Sequence, residues 1–176
     1  MVDECTGKKL IFRSREEHQR AGVMDRAVKI TKRAAYIEGL VLAGNSQDPM
    51  FDLARQFKTA ETIVIAAPYW DMSFPAMLKQ YLEQVNVVGI TFKYSKDGVP
   101  VGLCRANRLI FVTTAGGCYV PDIYGFGYVR ELAQNYYGIQ EVLKIEAAGL
   151  DIDGADIEKL MKDAEAAVEA VKIYRD

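Results

Sequence analysis

The chain has 176 residues, a formal net charge of −2, and hydrophobic side chains at half of its positions. A chain of this length fits one domain with a sizeable buried core, and we predict a single domain over residues 1–176. Nothing in the charge favours nucleic acid or an anionic membrane, and no apolar stretch approaches the roughly 20 residues that cross a bilayer. Because the polar N-terminus lacks a signal-peptide pattern, we expect a cytoplasmic protein.

Cysteine and histidine content argues against several kinds of site. Cys5, Cys104 and Cys118 are far apart and form no CxxC pair, which predicts neither a disulfide framework nor a metal centre. His18 is the only histidine and lies among charged residues. A Ser-His-Asp or Cys-His hydrolase would have to use it, and nothing nearby in the sequence supports that role.

The first predicted elements alternate between strand and helix. Lys9–Phe12 is a short strand-like run, residues 24–43 are mostly helix-forming, and Gly44-Asn45 ends that helix. A second short helix is predicted over residues 52–58. The apolar run Thr62–Ala67 shows no alternation, which is typical of a parallel strand covered on both faces.

A helix is predicted to follow this strand after a short loop. Ser73 is placed to cap its N-terminus and Pro75 to be its first residue. The apolar positions of this helix fall on one face, at Leu78, Tyr81, Leu82 and Val85. Strand, loop and helix together make half of a βαβ unit.

Two loops at predicted strand ends are candidates for a binding site, because ligands of open α/β sheets bind just beyond the carboxyl ends of the strands. Pro68–Asp71 offers Tyr69 and Trp70 beside a stiffening proline, which suits a flat heterocycle; alternatively, the two rings fill space between helix and sheet. The strand Leu109–Thr114 runs into Ala115-Gly116-Gly117, where glycines let a ligand approach the main chain or simply form a tight turn.

The rest of the chain continues the alternation. A helix over residues 128–137 closes at Gly138, and residues 142–147 form the last strand. A terminal helix opens near Asp153. The predicted buried positions are Val129, Leu132, Ala133 and Tyr136 in the first helix, and Ile157, Leu160, Met161, Ala164, Val168 and Val171 in the second. This alternation predicts an α/β fold with a doubly wound parallel sheet.

The segment between Gly117 and Gly127 is unusually aromatic for a loop. One interpretation is packing against the next helix. The other is a wall over the site, in which Tyr119, Tyr124 and Phe126 bind a flat substrate or contact a partner subunit.

Four segments in this order resemble the flavodoxin-like NAD(P)H:quinone oxidoreductases, and within them the FMN-dependent NADH-azoreductases. The similarity runs from about Asp48 to about Leu150 and rests on Ala67-Pro68-Tyr69-Trp70, Leu78-Lys79-Gln80-Tyr81, Gly89-Ile90-Thr91-Phe92-Lys93-Tyr94 and Thr114-Ala115-Gly116-Gly117.

The resemblance implies an enzyme that takes a hydride from NADH or NADPH onto FMN and then reduces a quinone or azo compound in a two-electron ping-pong reaction. It also implies a homodimer with the active site at the subunit interface. The cofactor-binding residues it implies are Pro68, Tyr69, Trp70, Asp71, Thr114, Ala115, Gly116 and Gly117. No acid, base or nucleophile is assigned, and Tyr119 is the side chain expected beside the reacting face.

One departure from the family concerns the FMN phosphate, which members bind with a Ser/Thr-rich loop at a helix N-terminus. Here Lys9–Phe12 is followed by Arg13-Ser14-Arg15, with no glycine and with Glu16 and Glu17 opposing an anion. Lys9–Phe12 is either the second strand, with the usual first strand missing, or the first strand, with the second missing. We favour the former interpretation, an N-terminally shortened member that lacks one strand.

Two alternatives follow from this departure. One is a non-catalytic dimeric flavodoxin-like binding module that has lost its phosphate loop. The other is a one-electron carrier, which the near-neutral charge disfavours because such carriers are usually strongly acidic.

Overall fold

The structure is a computed structural model that describes residues 36–171. The chain divides into two compact units, residues 1–40 and 41–176. The described part of the first unit, residues 36–40, is helical, and helix extends to residue 42. Gly44 then adopts a φ of +85°, in keeping with the predicted stop at this position. The predicted strand Lys9–Phe12, the phosphate-loop candidate and most of the helix over residues 24–43 lie outside the described residues.

The second unit contains the helices and parallel strands that the sequence predicts, in the predicted order, and two further short strands over residues 92–94 and 100–102. Its elements are α1 (Asp52–Thr59), β1 (Thr62–Ala66), α2 (Ala76–Val85), β2 (Phe92–Tyr94), β3 (Pro100–Gly102), β4 (Arg108–Thr114), α3 (Phe126–Glu131), β5 (Glu141–Ala147) and α4 (Ile157–Ala170). Short 3₁₀ turns lie at Pro49–Phe51 and Asp122–Tyr124, and a π-helix over Leu132–Tyr137 continues α3.

Three of these strands form a parallel sheet in the order β1-β4-β5. Its register places Ala66 opposite Val112, and Thr114 opposite Ala147. The carboxyl ends of all three strands therefore lie at one edge. The strands β2 and β3 form a separate antiparallel ribbon, whose turn includes Gly98 at a φ of +76°. The parallel sheet with its helices confirms the predicted α/β, flavodoxin-like class.

The core lies between the sheet and helices α2 and α3. Ile65 of β1 and Phe111 of β4 are adjacent in register and belong to one buried cluster. Leu82 and Val85 of α2 are fully buried in the same cluster, and Leu78 and Tyr81 pack at its margin. The predicted apolar face of α2 is therefore confirmed.

The π-helix changes which tyrosine is buried. The sequence predicts Tyr136 on the buried face, but the wider π turn shifts the register and makes Tyr137 the fully buried residue. The Tyr137 hydroxyl donates a hydrogen bond of 2.6 Å to Asn86 Oδ1, and burial raises the pKa of Tyr137. Tyr136 lies at the margin of the core, with its ring centroid 4.6 Å from that of Phe92. The predicted stop is confirmed at Gly138, which has a φ of +78°.

The terminal helix α4 differs from prediction in its start and in its burial. It begins at Ile157, because the Asp156 carboxylate caps it by accepting from the Lys159 N–H at 3.0 Å. The predicted burial of the stripe that includes Met161 and Val168 is wrong, because no residue of α4 is buried. Of the described helices and strands, β5 makes most of the contacts with α4. Because β5 is one strand at the margin of the described sheet, it covers only part of the predicted stripe.

Within residues 36–171, no helix combines the length and the apolar character that a membrane span requires.

Candidate functional site

The site is built where β1, β4 and β5 end side by side. Main-chain hydrogen bonds extend the pairing past the strands: the Ala67 N–H donates to the Val112 carbonyl at 3.0 Å, and the Tyr69 N–H to the Thr114 carbonyl at 2.8 Å. On the other side, the Ala115 N–H donates to the Ala147 carbonyl at 2.8 Å. The loops after the three strands thus leave the sheet as neighbours, as expected of parallel strands.

These loops surround an open cavity of about 470 Å³. It is lined by Pro68, Tyr69, Trp70, Asp71, Thr114, Ala115, Gly116, Leu150 and Asp151. Seven of the eight residues predicted to bind the cofactor therefore meet at one cavity, and the eighth, Gly117, follows directly in the chain without lining it. That these residues bind a cofactor stays a prediction.

Sequence reasoning missed Leu150 and Asp151. The signal was available, because a predicted parallel strand over residues 142–147 must end at the same edge as the other two, and the residues after it then face the same cavity.

The first wall of the cavity is a tight turn after β1. Trp70 and Ser73 exchange two main-chain hydrogen bonds of 2.8 Å each. Between them, Asp71 and Met72 adopt positive φ values of +48° and +69°, which are uncommon for residues other than glycine. The turn leaves Trp70 62% exposed beside the cavity.

Ser73 does not cap helix α2, contrary to prediction. The N-cap position is occupied by Pro75 and the helix begins at Ala76, so Ser73 belongs to the preceding turn. Its hydroxyl instead donates a hydrogen bond of 2.7 Å to the Tyr124 carbonyl. Ser73 therefore ties the loop after β1 to the aromatic segment.

The second wall is the glycine loop after β4, which pairs with the loop after β5. The Ala115, Gly116 and Gly117 carbonyls accept from the N–H groups of Leu150, Asp151 and Gly149, at 3.1, 2.9 and 3.1 Å. A Cβ atom at Gly116 would lie 2.1 Å from Asp151 Oδ2, so glycine makes room for this carboxylate.

The N–H groups of Gly116 and Gly117 donate no hydrogen bond to any other described residue. At Gly117, moreover, an added Cβ would meet nothing within 4 Å. Two adjacent main-chain donors, with open space beside Gly117, are suited to bind an oxygen of a ligand.

Tyr69 separates the open cavity from a small enclosed pocket of about 10 Å³. Its hydroxyl oxygen is buried and has no hydrogen-bond partner among residues 36–171. Burial raises the pKa of Tyr69, and Tyr119, Tyr124 and Glu146 raise it further, so the hydroxyl is protonated at neutral pH. The pocket is close to the size that one water molecule needs.

The aromatic segment after Gly117 presents two of its three predicted substrate-binding rings. Tyr119 and Tyr124 are 77% and 51% exposed. Phe126, in contrast, is buried in the core with its ring centroid 6.0 Å from that of Phe111, and it therefore has little surface to offer a stacked substrate.

Among residues 36–171, the charges that line the cavity are negative. Asp71 and Asp151 line it, and no Lys or Arg of this part of the chain does. Lys144 of β5 pairs with Asp122 at 2.7 Å and with Glu146 at 3.2 Å. Partial burial acts to lower the pKa of Lys144, but its hydrogen bonds to the two carboxylates outweigh burial and raise it.

In the described part of the chain, no group of three or more His, Cys, Asp or Glu side chains is arranged to hold a metal ion.

Comparison with known proteins identifies the family. Residues 31–172 match the family model described as the flavodoxin-like fold. The FMN-dependent NADH:quinone oxidoreductase of Clostridium beijerinckii is 36% identical over 118 residues, which cover 66% of this chain and 59% of that protein. The chain thus spans about three-fifths of the length of the curated relatives it matches.

Two solved structures share the fold. The azoreductase from Bacillus anthracis str. Sterne superposes with a TM-score of 0.61 at 25% identity, over 69% of this chain and 60% of that one. An FMN-dependent NADH-azoreductase from Bacillus anthracis str. Ames Ancestor, solved in complex with FMN, gives a TM-score of 0.60 at 24% identity, over 97% of this chain and 72% of that one. The chain belongs to the flavodoxin-like fold family.

Proposed function

We propose that this chain is an FMN-dependent oxidoreductase that uses NADH or NADPH to reduce quinones or azo compounds. The observation that carries the proposal is the convergence of Pro68–Asp71 and Thr114–Gly116 on one cavity at the carboxyl ends of β1 and β4. The names of the relatives support it, since they describe FMN-dependent NADH:quinone oxidoreductases and azoreductases.

The residues present fit the ring of a flavin. A volume of about 470 Å³ is within the range of about 300–1,000 Å³ typical of small-molecule sites. In our proposal Tyr69 and Trp70 would wall the ring, and the Gly116 and Gly117 N–H groups would donate to its oxygens. When bound, FMN would supply the redox chemistry, a net transfer of one hydride from NAD(P)H and one proton from solvent to the acceptor.

The protein's part in this reaction is to hold flat molecules in turn at one open face. Tyr119 and Tyr124 follow the glycine loop in the chain without lining the cavity, and both are exposed enough to contact a planar acceptor. We propose that the nicotinamide and the acceptor use this face successively, which corresponds to a ping-pong order.

We further propose that the chain forms a homodimer through the apolar surface beside the cavity. Met72, Met77 and Ile123 are 45%, 79% and 72% exposed. Ile123 also lines an apolar depression of about 420 Å³, together with Ser73, Phe74, Lys79, Tyr124 and Tyr128. Exposed apolar surface of this kind marks interaction sites. Light scattering after size exclusion tests it: a dimer is expected, and a monomer at all concentrations would contradict it.

The single tryptophan provides a direct test of cofactor binding. Trp70 lines the cavity, so FMN is expected to quench its fluorescence saturably, and the complex is expected to be yellow. The Trp70→Phe variant is the control, because it should lose the signal and still retain flavin absorbance. The FMN-loaded protein should then oxidise NADH in the presence of a naphthoquinone.

The opposite outcome favours the non-catalytic module. If millimolar FMN changes neither the Trp70 fluorescence nor the absorbance of the purified protein, the oxidoreductase assignment is wrong. Of the two properties that we propose, oxidoreductase activity and dimerisation, only dimerisation would then remain.

A further inference from the structure

We propose that this site selects acceptors by charge, reducing uncharged and cationic planar acceptors in preference to anionic ones such as sulfonated quinones and dyes. The selecting residues are Asp71 and Asp151. This inference rests on the proposed function, because it concerns the substrate class of the same cavity.

Asp151 is held beside the cavity by its backbone. Its N–H donates to the Gly116 carbonyl at 2.9 Å, and the N–H of the preceding Leu150 donates to the Ala115 carbonyl at 3.1 Å. The side chain lies over Gly116, at a place where any Cβ would collide with Oδ2. The carboxylate thus occupies the wall of the cavity directly above the glycine loop.

Asp71 is held on the wall formed by the other loop. The paired hydrogen bonds between Trp70 and Ser73 close the turn that contains it, and its φ of +48° sets its backbone within that turn. Two negative charges therefore stand on separate loops around one cavity, and neither requires a conformational change to reach it.

The described cations at this edge of the sheet do not cancel these charges. Lys144 already pairs with Asp122 and Glu146, so that group of three carries a net negative charge of its own. The exposed ring of Trp70, which lines the cavity, adds to the preference because its face attracts cations and not anions. An anionic acceptor that approaches the FMN-filled cavity meets repulsion from Asp71 and Asp151, while a cationic one is attracted.

The experiment compares three acceptors built on one naphthoquinone ring: the plain ring, a sulfonate derivative and a trimethylammonium derivative. We expect kcat/KM of the FMN-loaded protein to favour the cation over the anion by about ten-fold at low ionic strength, and by less at high ionic strength, where exposed charges are screened.

The variants Asp71→Asn and Asp151→Asn remove one charge each at nearly constant shape, and asparagine tolerates the positive φ at position 71. Each should reduce the cation-to-anion ratio by about three-fold, mainly through kcat/KM of the sulfonate. Asp97→Asn, an exposed charge on the turn between β2 and β3, is the matched control and should leave the ratio unchanged.

Binding without turnover gives an independent readout. Calorimetry should show that the oxidised FMN-loaded protein binds a naphthyl trimethylammonium ion more tightly than a naphthalene sulfonate, and that Asp71→Asn with Asp151→Asn removes the difference.

The outcomes separate this inference from the proposed function. If the loaded protein reduces the plain quinone and the double variant keeps the native charge preference, or if no preference exists, charge selection is wrong and the oxidoreductase assignment stands. If the native chain fails to bind FMN at all, both are overturned.

Discussion

The core beneath the sheet and the cavity at its edge are built in different ways. In the core, contacts between side chains dominate. Tyr137, Leu82 and Leu109 come from three different elements, are fully buried and belong to one hydrophobic cluster. At the cavity, hydrogen bonds between backbone groups hold the loops, while Trp70 remains largely exposed. Substitutions in the core are therefore expected to change stability, and substitutions at the cavity rim to change binding with little change in stability. The predictions below test this separation.

The largest expected effect is on stability, from Tyr137→Ala. This change removes a fully buried ring and its hydrogen bond to Asn86, and should lower the free energy of unfolding by about 3–5 kcal/mol. Chemical denaturation measures it. Tyr119→Ala is the control on an exposed ring and should change stability by less than about 0.5 kcal/mol. Similar losses in both variants would contradict the separation.

The next effect is on binding, from Gly117→Ala. Because a Cβ here meets no neighbour within 4 Å, the fold should tolerate it, yet the methyl group would obstruct a ligand approaching the main-chain N–H groups. We expect the Kd for FMN to rise about ten-fold, equivalent to about 1.4 kcal/mol, with an unchanged denaturation midpoint. An unaltered Kd would show that the glycine loop does not contact the cofactor.

A smaller effect is expected from Tyr137→Phe, which removes only the hydroxyl. The ring stays packed while Asn86 Oδ1 loses its donor, so stability should fall by about 1 kcal/mol, the usual contribution of one hydrogen bond. Comparison with Tyr137→Ala divides the contribution of this residue between ring packing and hydrogen bonding. If Tyr137→Phe lost as much stability as Tyr137→Ala, the hydrogen bond and not the packing of the ring would make the larger contribution of this residue to the free energy of unfolding.

The smallest effect is expected from Ser73→Ala. It breaks the hydrogen bond from the hydroxyl to the Tyr124 carbonyl, which is one link between the loop after β1 and the aromatic segment. Stability should change by about 1 kcal/mol or less, since the bond is exposed. Hydrogen exchange around Tyr124 should become faster, and Ser73→Thr, which keeps the hydroxyl, should restore protection. Equal exchange in all three proteins would argue against the link.

Much of the fold could be predicted because its signals are local. The apolar runs at β1 and β4 and the apolar face of α2 each follow from consecutive residues. The predicted cover on both faces is wrong for β1, which buries Ile63 and Ile65 but leaves Val64 53% exposed. The resemblance of four short segments predicted a flavodoxin-like family, and the match of residues 31–172 to the flavodoxin-like fold model confirms that prediction.

The errors concern residues whose environment is set by distant parts of the chain. The helical repeat placed Tyr136 inward, and a single π turn exchanged it for Tyr137. The preference of serine for N-cap positions predicted that Ser73 caps helix α2. In the structure Ser73 belongs to the turn closed by Trp70, and its hydroxyl donates to the Tyr124 carbonyl of another loop. The stripe on α4 is amphipathic as predicted, but its burial depends on what packs against it.

By itself, the sequence determined which segments are strands, which helices are amphipathic and where glycine loops follow the strands, because these properties depend on neighbours along the chain. Only the tertiary structure decided that Leu150 and Asp151 join the cavity, that Phe126 is buried, and that two carboxylates meet at one site. Those facts depend on strand order and register, which bring together residues that are remote in sequence.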